Sequence, residues 1–329
     1  MQSIAAPRFR LIDRGLPPDT FAADVAAGLG ALPKSIPPQY FYDSLGSALF
    51  EAICELPEYY VTRSETDILT SFSDEIARAF PPQARLVELG SGSARKTRLL
   101  IDALLRRRDE LHYIPLDIDA GMLEKSGSAL LGDFPSLRVT AVSGDFRRPS
   151  LAIPQAERGE RTVVLFLGSS IGNLDPDAAA ATLRDLRTVL GPGDALFLGA
   201  DLRKPRAILE PAYDDALGVT AAFNRNLLQR MNRELGANFA LEHFAHRAFY
   251  DERLGRIEMH LVSDSAQRVR IEALGGAIEF AAGESIHTEN SWKYDDETLA
   301  QLARESGFAL EQRWTDTNGW FVDVLLAAR

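Results

Sequence analysis

Apolar positions along this chain change their spacing twice. Between residues 40 and 53, Phe41, Leu45, Leu49 and Ile53 recur every fourth position, which predicts one helical stretch with a single core-facing row. Tyr42 and Phe50 lie off that row and need another partner. A shorter helical pattern at 21–29 precedes this stretch. Leu56-Pro57-Glu58-Tyr59-Tyr60 reads as a turn, leading into a helix over 64–80 that Thr62 or Ser64 would cap.

From residue 84 onward, continuous apolar runs alternate with helical patterns. Strands are predicted at 84–89, 112–117, 137–143, 162–168 and 194–200, with helices at 98–108, 120–131 and 176–190 between them. Val163-Val164-Leu165-Phe166-Leu167 is apolar at every position, as a parallel strand covered on both faces requires. The alternation predicts an α/β fold with a Rossmann-like, doubly wound sheet. After residue 203 the texture shifts. Helical segments carrying Asn224, Asn226 and Asn232 lead into two strand-like runs, 245–251 and 256–263, which form a hairpin through Leu254-Gly255. Antiparallel material of this kind does not belong in a parallel sheet. Residues 1–62 plus 203–290 are therefore expected to form a second, α+β lobe, and 63–202 plus 291–329 the α/β domain. A helix at 296–306 and strands at 308–315 and 320–327 complete that domain.

Composition narrows the partners. The 329 residues are 46% hydrophobic and 25% charged, an ordinary globular mixture able to bury one large core or two smaller ones. A formal charge of -11 weighs against binding to phosphate backbones or anionic membranes. The single cysteine, Cys54, excludes an intramolecular disulfide and a thiolate metal cluster, so no metal is expected. No apolar run reaches about 18 residues and the first residues contain no signal-like apolar core, which predicts a cytoplasmic protein. A monomer or weak dimer is the expected state.

The chemistry starts where the first parallel strand breaks, at Gly90-Ser91-Gly92-Ser93-Ala94-Arg95-Lys96-Thr97. A dinucleotide fingerprint needs a small residue where Arg95 stands, and a phosphate loop needs a glycine there, although Lys96 and Thr97 fit the latter. A third reading takes in the acidic residues ending the next two predicted strands, Asp117 and Asp145. The glycines let backbone approach an amino-acid-like tail, Asp117 accepts two ribose hydroxyls, and Asp145 with Phe146 brackets an adenine. S-adenosylmethionine needs that arrangement. The fourth strand runs out through Gly168-Ser169-Ser170-Ile171-Gly172-Asn173, with Asp175 before Pro176 placed to cap the next helix. That leaves Asn173, which both donates and accepts, for the carboxylate and amine of an amino acid.

Tyr40-Phe41-Tyr42-Asp43, Gly46-Ser47, Leu49-Phe50, Leu56-Pro57-Glu58-Tyr59-Tyr60, Glu88-Leu89-Gly90-Ser91-Gly92, Gly168-Ser169-Ser170-Ile171-Gly172-Asn173, Asp201-Leu202-Arg203-Lys204 and Thr288-Glu289-Asn290-Ser291, in this order and spacing, resemble the L-histidine Nα-methyltransferases of ergothioneine biosynthesis. The resemblance runs over nearly the whole chain. It implies a class I methyltransferase domain, a separate substrate-binding lobe, and trimethylation of histidine at its α-amino group. It implies that Gly90, Lys96, Asp117, Asp145 and Phe146 contact S-adenosylmethionine, and that Tyr59, Asn173, Tyr213, Glu289 and Ser291 contact histidine. Tyr42 and Phe50 would line the site, with Met259 beneath the imidazole. Asn173 and Tyr213 are expected to hold the amino acid while Tyr42, or a water on it, helps accept the proton.

The residues themselves support part of this. Glu289 and Ser291 are two apart on a predicted strand and share a face, so one carboxylate and one hydroxyl can read the two nitrogens of an imidazole. Tyr213 falls in a predicted helical stretch, 211–222. Asn290, at a position usually apolar in the family, and Trp292 should face away. Two alternatives stay open: an N-methyltransferase for another aromatic amino acid or amine, such as a tryptophan derivative, and a non-catalytic S-adenosylmethionine-binding module.

Overall fold

The computed structural model describes residues 8–14, 20–157 and 159–328. They fall into two compact units. One comprises the described part of 1–16 with Arg63–Leu202 and Tyr294 onward; the other comprises the described part of 17–62 with Arg203–Lys293.

The first unit is built on an eight-stranded mixed sheet. From edge to edge the strands are Phe9–Asp13, Leu137–Ser143, Leu111–Asp117, Ala84–Leu89, Arg161–Phe166, Ala195–Asp201, Phe321–Ala328 and Phe308–Thr315. The first six run parallel, and the last two are antiparallel to their neighbours. The chain builds outward from Ala84–Leu89 in one direction, then restarts on its other side with Arg161–Phe166. Strand order therefore reverses at Ala84–Leu89, the place where open α/β sheets collect ligands beyond their carboxyl ends. This is the α/β, doubly wound architecture that the alternating pattern predicts, and the class I methyltransferase arrangement that the resemblance implies. Every residue of Ala84–Leu89 is buried, Glu88 included.

The unit's boundaries differ from the sequence expectation at two places. Phe9–Asp13, expected in the second lobe with the rest of 1–62, is an edge strand pairing Phe9 with Val139. Arg8 anchors it by donating to the Leu131 carbonyl, in the last turn of the helix Ala120–Asp133, and to the carbonyls of Phe134 and Leu137 on the way into the neighbouring strand. At the other boundary, residues 291–293 stay with the second unit, because the strand Ser285–Trp292 continues to Trp292.

The second unit carries a four-stranded sheet ordered Lys34–Ser35, Ser285–Trp292, Arg256–Ser263 and Phe244–Asp251; the helix Val219–Leu235 packs on it, and Ser44–Cys54 packs on that helix. The stretch 40–53 is not one helix. A 3-10 turn, Pro38–Phe41, is followed by a break at Tyr42 and Asp43, and Asp43 then caps Ser44–Cys54 by accepting from Gly46 N at 2.7 Å. Burial alone would raise the Asp43 carboxyl, but Gly46, Arg233 and Asn226 hold it below the usual range. The break rotates the apolar row, leaving Leu45 44% exposed and burying Gly46 in its place. A Cβ on Gly46 would lie 1.7 Å from the Phe41 carbonyl oxygen, backbone that cannot swing aside. Gly46→Ala is expected to destabilise the protein by about 3 kcal/mol, read as a lower urea midpoint with unchanged slope.

The next helix also starts earlier than expected, at Tyr60, so Thr62 and Ser64 lie inside it. The Ser64 hydroxyl donates to Asp316 at 3.2 Å rather than capping. No helix among the described residues is long and apolar enough to cross a membrane.

Candidate active site

In the first unit the chain leaves Ala84–Leu89 through Gly90 (φ 67°) and Gly92 (φ 48°), both in the left-handed region that glycine adopts without strain. Gly90 N donates to Leu116 O at 2.8 Å, which fixes the turn to the neighbouring strand. No heavy atom lies within 4 Å of where a Cβ on Gly92 would stand, and the ring of Phe146 lies 3.7 Å from that point on Gly90. Beneath the turn, the Glu88 carboxylate accepts from Thr97 Oγ at 2.7 Å and from the Tyr113 hydroxyl. Burial pushes Glu88 up to about 7, with those two hydrogen bonds pulling the other way.

Asp117 braces the same turn. Its two oxygens accept from Gly92 N at 2.9 Å and from Asp119 N at 3.1 Å. Burial raises its pKa and the backbone donors oppose that shift. The neighbouring Asp119 caps Ala120–Asp133, so Asp117 is not the cap of that helix. Asp145 is gripped by Arg147, whose guanidinium donates at 2.6 to 3.0 Å. Burial would raise the Asp145 carboxyl, but Arg147 holds it below the ordinary range. Phe146 is half-buried, with its ring centroid 5.5 Å from that of Phe166.

Lys96 donates to Glu65, a fully buried carboxylate that also accepts from Gly168 N at 2.8 Å. A Cβ on Gly199 would meet Glu65 at 2.2 Å and Asp323 at 2.9 Å, so both carboxyls converge there. Asp323 is buried without a hydrogen-bond partner among the described residues. Its pKa is pushed well up, first by burial and then by the Glu65 charge. Asn173 ends the 3-10 turn Ser170–Asn173, which Gly168 (φ 74°) and Ser169 (φ 57°) start in left-handed conformations. Its half-buried amide makes no hydrogen bond among the described residues. Asp175 stands at the N-cap of Pro176–Val189, though its side chain makes no capping bond.

In the second unit the other predicted residues come together on one face of the sheet. A β-bulge between His287 and Glu289 decides which face that is. His287 pairs opposite His260 on the outer side. Thr288 is the extra residue, buried and donating to Met259 O at 3.0 Å, and Glu289 then stands opposite Met259 on the inner side. Ser291 shares that inner face. Asn290 pairs opposite Glu258 and Trp292 lies 4.9 Å over Arg256, both on the outer face.

Glu289 is 7% exposed and has no hydrogen-bond partner among the described residues. Burial pushes it up to about 7, with the charge of Lys293 pulling it back. Tyr213 Oη lies 2.8 Å from Ser291 Oγ. Rings of Tyr213, Tyr59, Phe50 and Tyr42 follow one another edge to face at 6.1, 6.2 and 5.8 Å. Burial raises the Tyr59 phenol well above its ordinary value.

Tyr213 does not lie in a helix. It follows the 3-10 turn Glu210–Ala212, and the helix begins only at Val219, after Gly218 (φ 75°). Buried His246 fixes it there, with Nε2–H donating to Tyr213 O at 2.8 Å while Nδ1 accepts from Asn224 Nδ2 at 2.9 Å. Lys293, 2% exposed, donates to both Tyr213 Oη and Ser291 Oγ at 2.8 Å. His246, Lys293, Glu65 and Asp323 all escaped the sequence reading. Lys293 had a plain signal, being the next inward position after 289 and 291, and so had Asp323, a carboxyl within an apolar strand run. Elsewhere, His112, Glu157 and Glu160 bring three potential metal ligands within 4.8 Å of one another, but Arg138 already pairs with both carboxylates.

Residues 21–328 match the family model described as histidine-specific methyltransferase, SAM-dependent. A histidine N-alpha-methyltransferase of Mycolicibacterium smegmatis is 47% identical over 298 residues, covering 91% of this chain and 92% of that protein. Ergothioneine biosynthesis protein 1 of Schizosaccharomyces pombe is 32% identical over 86% of this chain and 37% of its own length. A 4-dimethylallyltryptophan N-methyltransferase of Claviceps purpurea is 26% identical over 91% of this chain and 92% of that protein. The chain belongs to the histidine-specific, S-adenosylmethionine-dependent methyltransferase family.

Proposed function

We propose that this protein methylates the α-amino nitrogen of L-histidine three times, yielding hercynine for ergothioneine biosynthesis. One observation carries the choice of substrate: a buried carboxylate, Glu289, stands without a hydrogen-bond partner among the described residues, beside the Ser291 hydroxyl on one sheet face. A buried polar group is costly unless a ligand completes it, and an imidazole brings both an N–H and an acceptor nitrogen. An indole leaves the hydroxyl without an acceptor.

S-adenosylmethionine supplies an electrophilic methyl group. The residues beyond the carboxyl end of Ala84–Leu89 fit it. Gly90 and Gly92 leave room for an aminoacyl tail, and Lys96 offers a cation to its carboxylate. Asp117 keeps lone pairs for ribose hydroxyls beyond the two that Gly92 and Asp119 use, and Asp145 with Phe146 borders the base.

For histidine, Glu289 and Ser291 read the ring above Met259, while Tyr59, Asn173 and Tyr213 hold the carboxylate and amine. Tyr42, or a water on it, passes on the proton. Tyr59 stays a neutral donor and does not compete for that role. Catalysis rests on positioning and desolvation of a neutral amine. The rings of Tyr42 and Phe50 favour the ammonium cation that each transfer produces. The protein is read as a cytoplasmic monomer or weak dimer without nucleic-acid or membrane partners, and its charge of -11 supports the absence of those partners.

Mass spectrometry of a reaction with histidine and S-adenosylmethionine is expected to show mono-, di- and trimethylated products in succession. If no methylated histidine forms, the proposal fails.

A further inference from the structure

Glu289, Ser291 and Lys293 succeed one another at two-residue spacing, so alternation carries all three toward one face. The Lys293 ammonium lies 4.6 Å from the Tyr213 ring centroid and donates at 2.8 Å to both hydroxyls, which are themselves 2.8 Å apart. A hydroxyl has one hydrogen and two lone pairs. Lys293 fills one lone pair of Ser291. The Tyr213 phenol is the more acidic of the two hydroxyls and the better donor, so it fills the other. Ser291 then has only its hydrogen to offer a ligand.

Glu289, when ionised, offers only acceptors. Lys293 is the cation that favours its ionised form, and the groups on the elements facing it, Tyr59 and Tyr213 with Tyr42 and Cys54 around Tyr59, contribute no positive charge. An acceptor beside an obligate donor matches a ring with one N–H and one bare nitrogen. It rejects a ring carrying two N–H groups or none.

We propose that Lys293 is a specificity-determining residue of this site, polarising Ser291 and Glu289 so that they select the neutral imidazole of histidine in a single tautomer. The inference rests on histidine as the substrate. Lys293→Met, assayed beside wild type across neutral pH, is expected to raise KM for histidine about tenfold with a much smaller change in kcat. The acid limb of its kcat/KM profile should also move to higher pH, because Glu289 loses its neighbouring cation. Titration of the substrate itself is common to both proteins and cancels.

An unchanged KM, or a raised KM with an unmoved acid limb, overturns the proposal, since a purely structural lysine would not move the limb. A second measurement needs no variant. Ring-15N histidine bound to wild type with S-adenosylhomocysteine should show one protonated and one bare nitrogen, and an imidazolium or a tautomer mixture overturns the proposal. If wild type neither binds nor methylates histidine, the substrate reading itself fails.

Discussion

Replacing Glu289 with alanine is expected to weaken histidine binding more than tenfold, measured by calorimetric titration in the presence of S-adenosylhomocysteine. A ring N–H donating to a buried carboxylate makes a charge-assisted hydrogen bond worth about 1.5 to 3 kcal/mol, and tenfold in affinity is about 1.4 kcal/mol. The free protein holds this carboxylate with no hydrogen-bond partner among the described residues, so the variant should be no less stable than wild type to heat or urea. Loss of binding without loss of stability separates a ligand contact from a structural one. The pH dependence follows from the same burial. Glu289 titrates near 7 in the free protein; as pH falls through that value the carboxyl becomes protonated and the acceptor is lost. Wild-type affinity should then drop about tenfold per pH unit beyond what the substrate's own titration causes, and the alanine variant should lose that extra dependence. An unchanged dissociation constant would remove the reason for naming histidine.

The α/β sheet was legible because its parallel strands are buried on both faces and read as unbroken apolar runs. Asp323 shows the limit of that reading. Lying within the apolar run of Phe321–Ala328, it should have signalled a buried carboxyl, and in the structure it converges with Glu65. Glu65 gave no signal, because a glutamate on a helix is solvated by default and only the tertiary fold brings it to Gly168 N. In the second unit, fourfold spacing failed at Leu45 because Asp43 starts a new helix and resets the phase. The reading of Glu289 and Ser291 on one face survives only because both lie beyond the bulge at Thr288. Plain alternation carried back to His287 would have put it beside them, whereas it lies against His260 on the other side. Lys293 follows the same alternation as its two neighbours, but lysine is almost never fully buried unless paired, which weighs against reading it as inward.

Asp117→Ala is expected to weaken S-adenosylmethionine binding about a hundredfold, because the carboxylate serves the cofactor and the turn together. Its oxygens hold Gly92 N and Asp119 N, and in the proposed site the remaining lone pairs accept from the vicinal ribose hydroxyls. Two hydrogen bonds to a charged acceptor are worth about 3 to 6 kcal/mol, and a hundredfold change is about 2.7 kcal/mol, so partial replacement by water still leaves the effect at that size. Alanine also releases Gly92, whose left-handed backbone has no other tie to the Leu111–Asp117 strand among the described hydrogen bonds. Asp117→Asn separates the two contributions. It keeps one acceptor oxygen, whose two lone pairs can serve one backbone N–H and one ribose hydroxyl where the carboxylate serves two of each, so its loss should be about tenfold. Calorimetric titration of the cofactor into the three proteins gives the order wild type, asparagine, alanine. If alanine binds within about threefold of wild type, less than 1 kcal/mol, Asp117 only shapes the turn and the ribose contact belongs elsewhere.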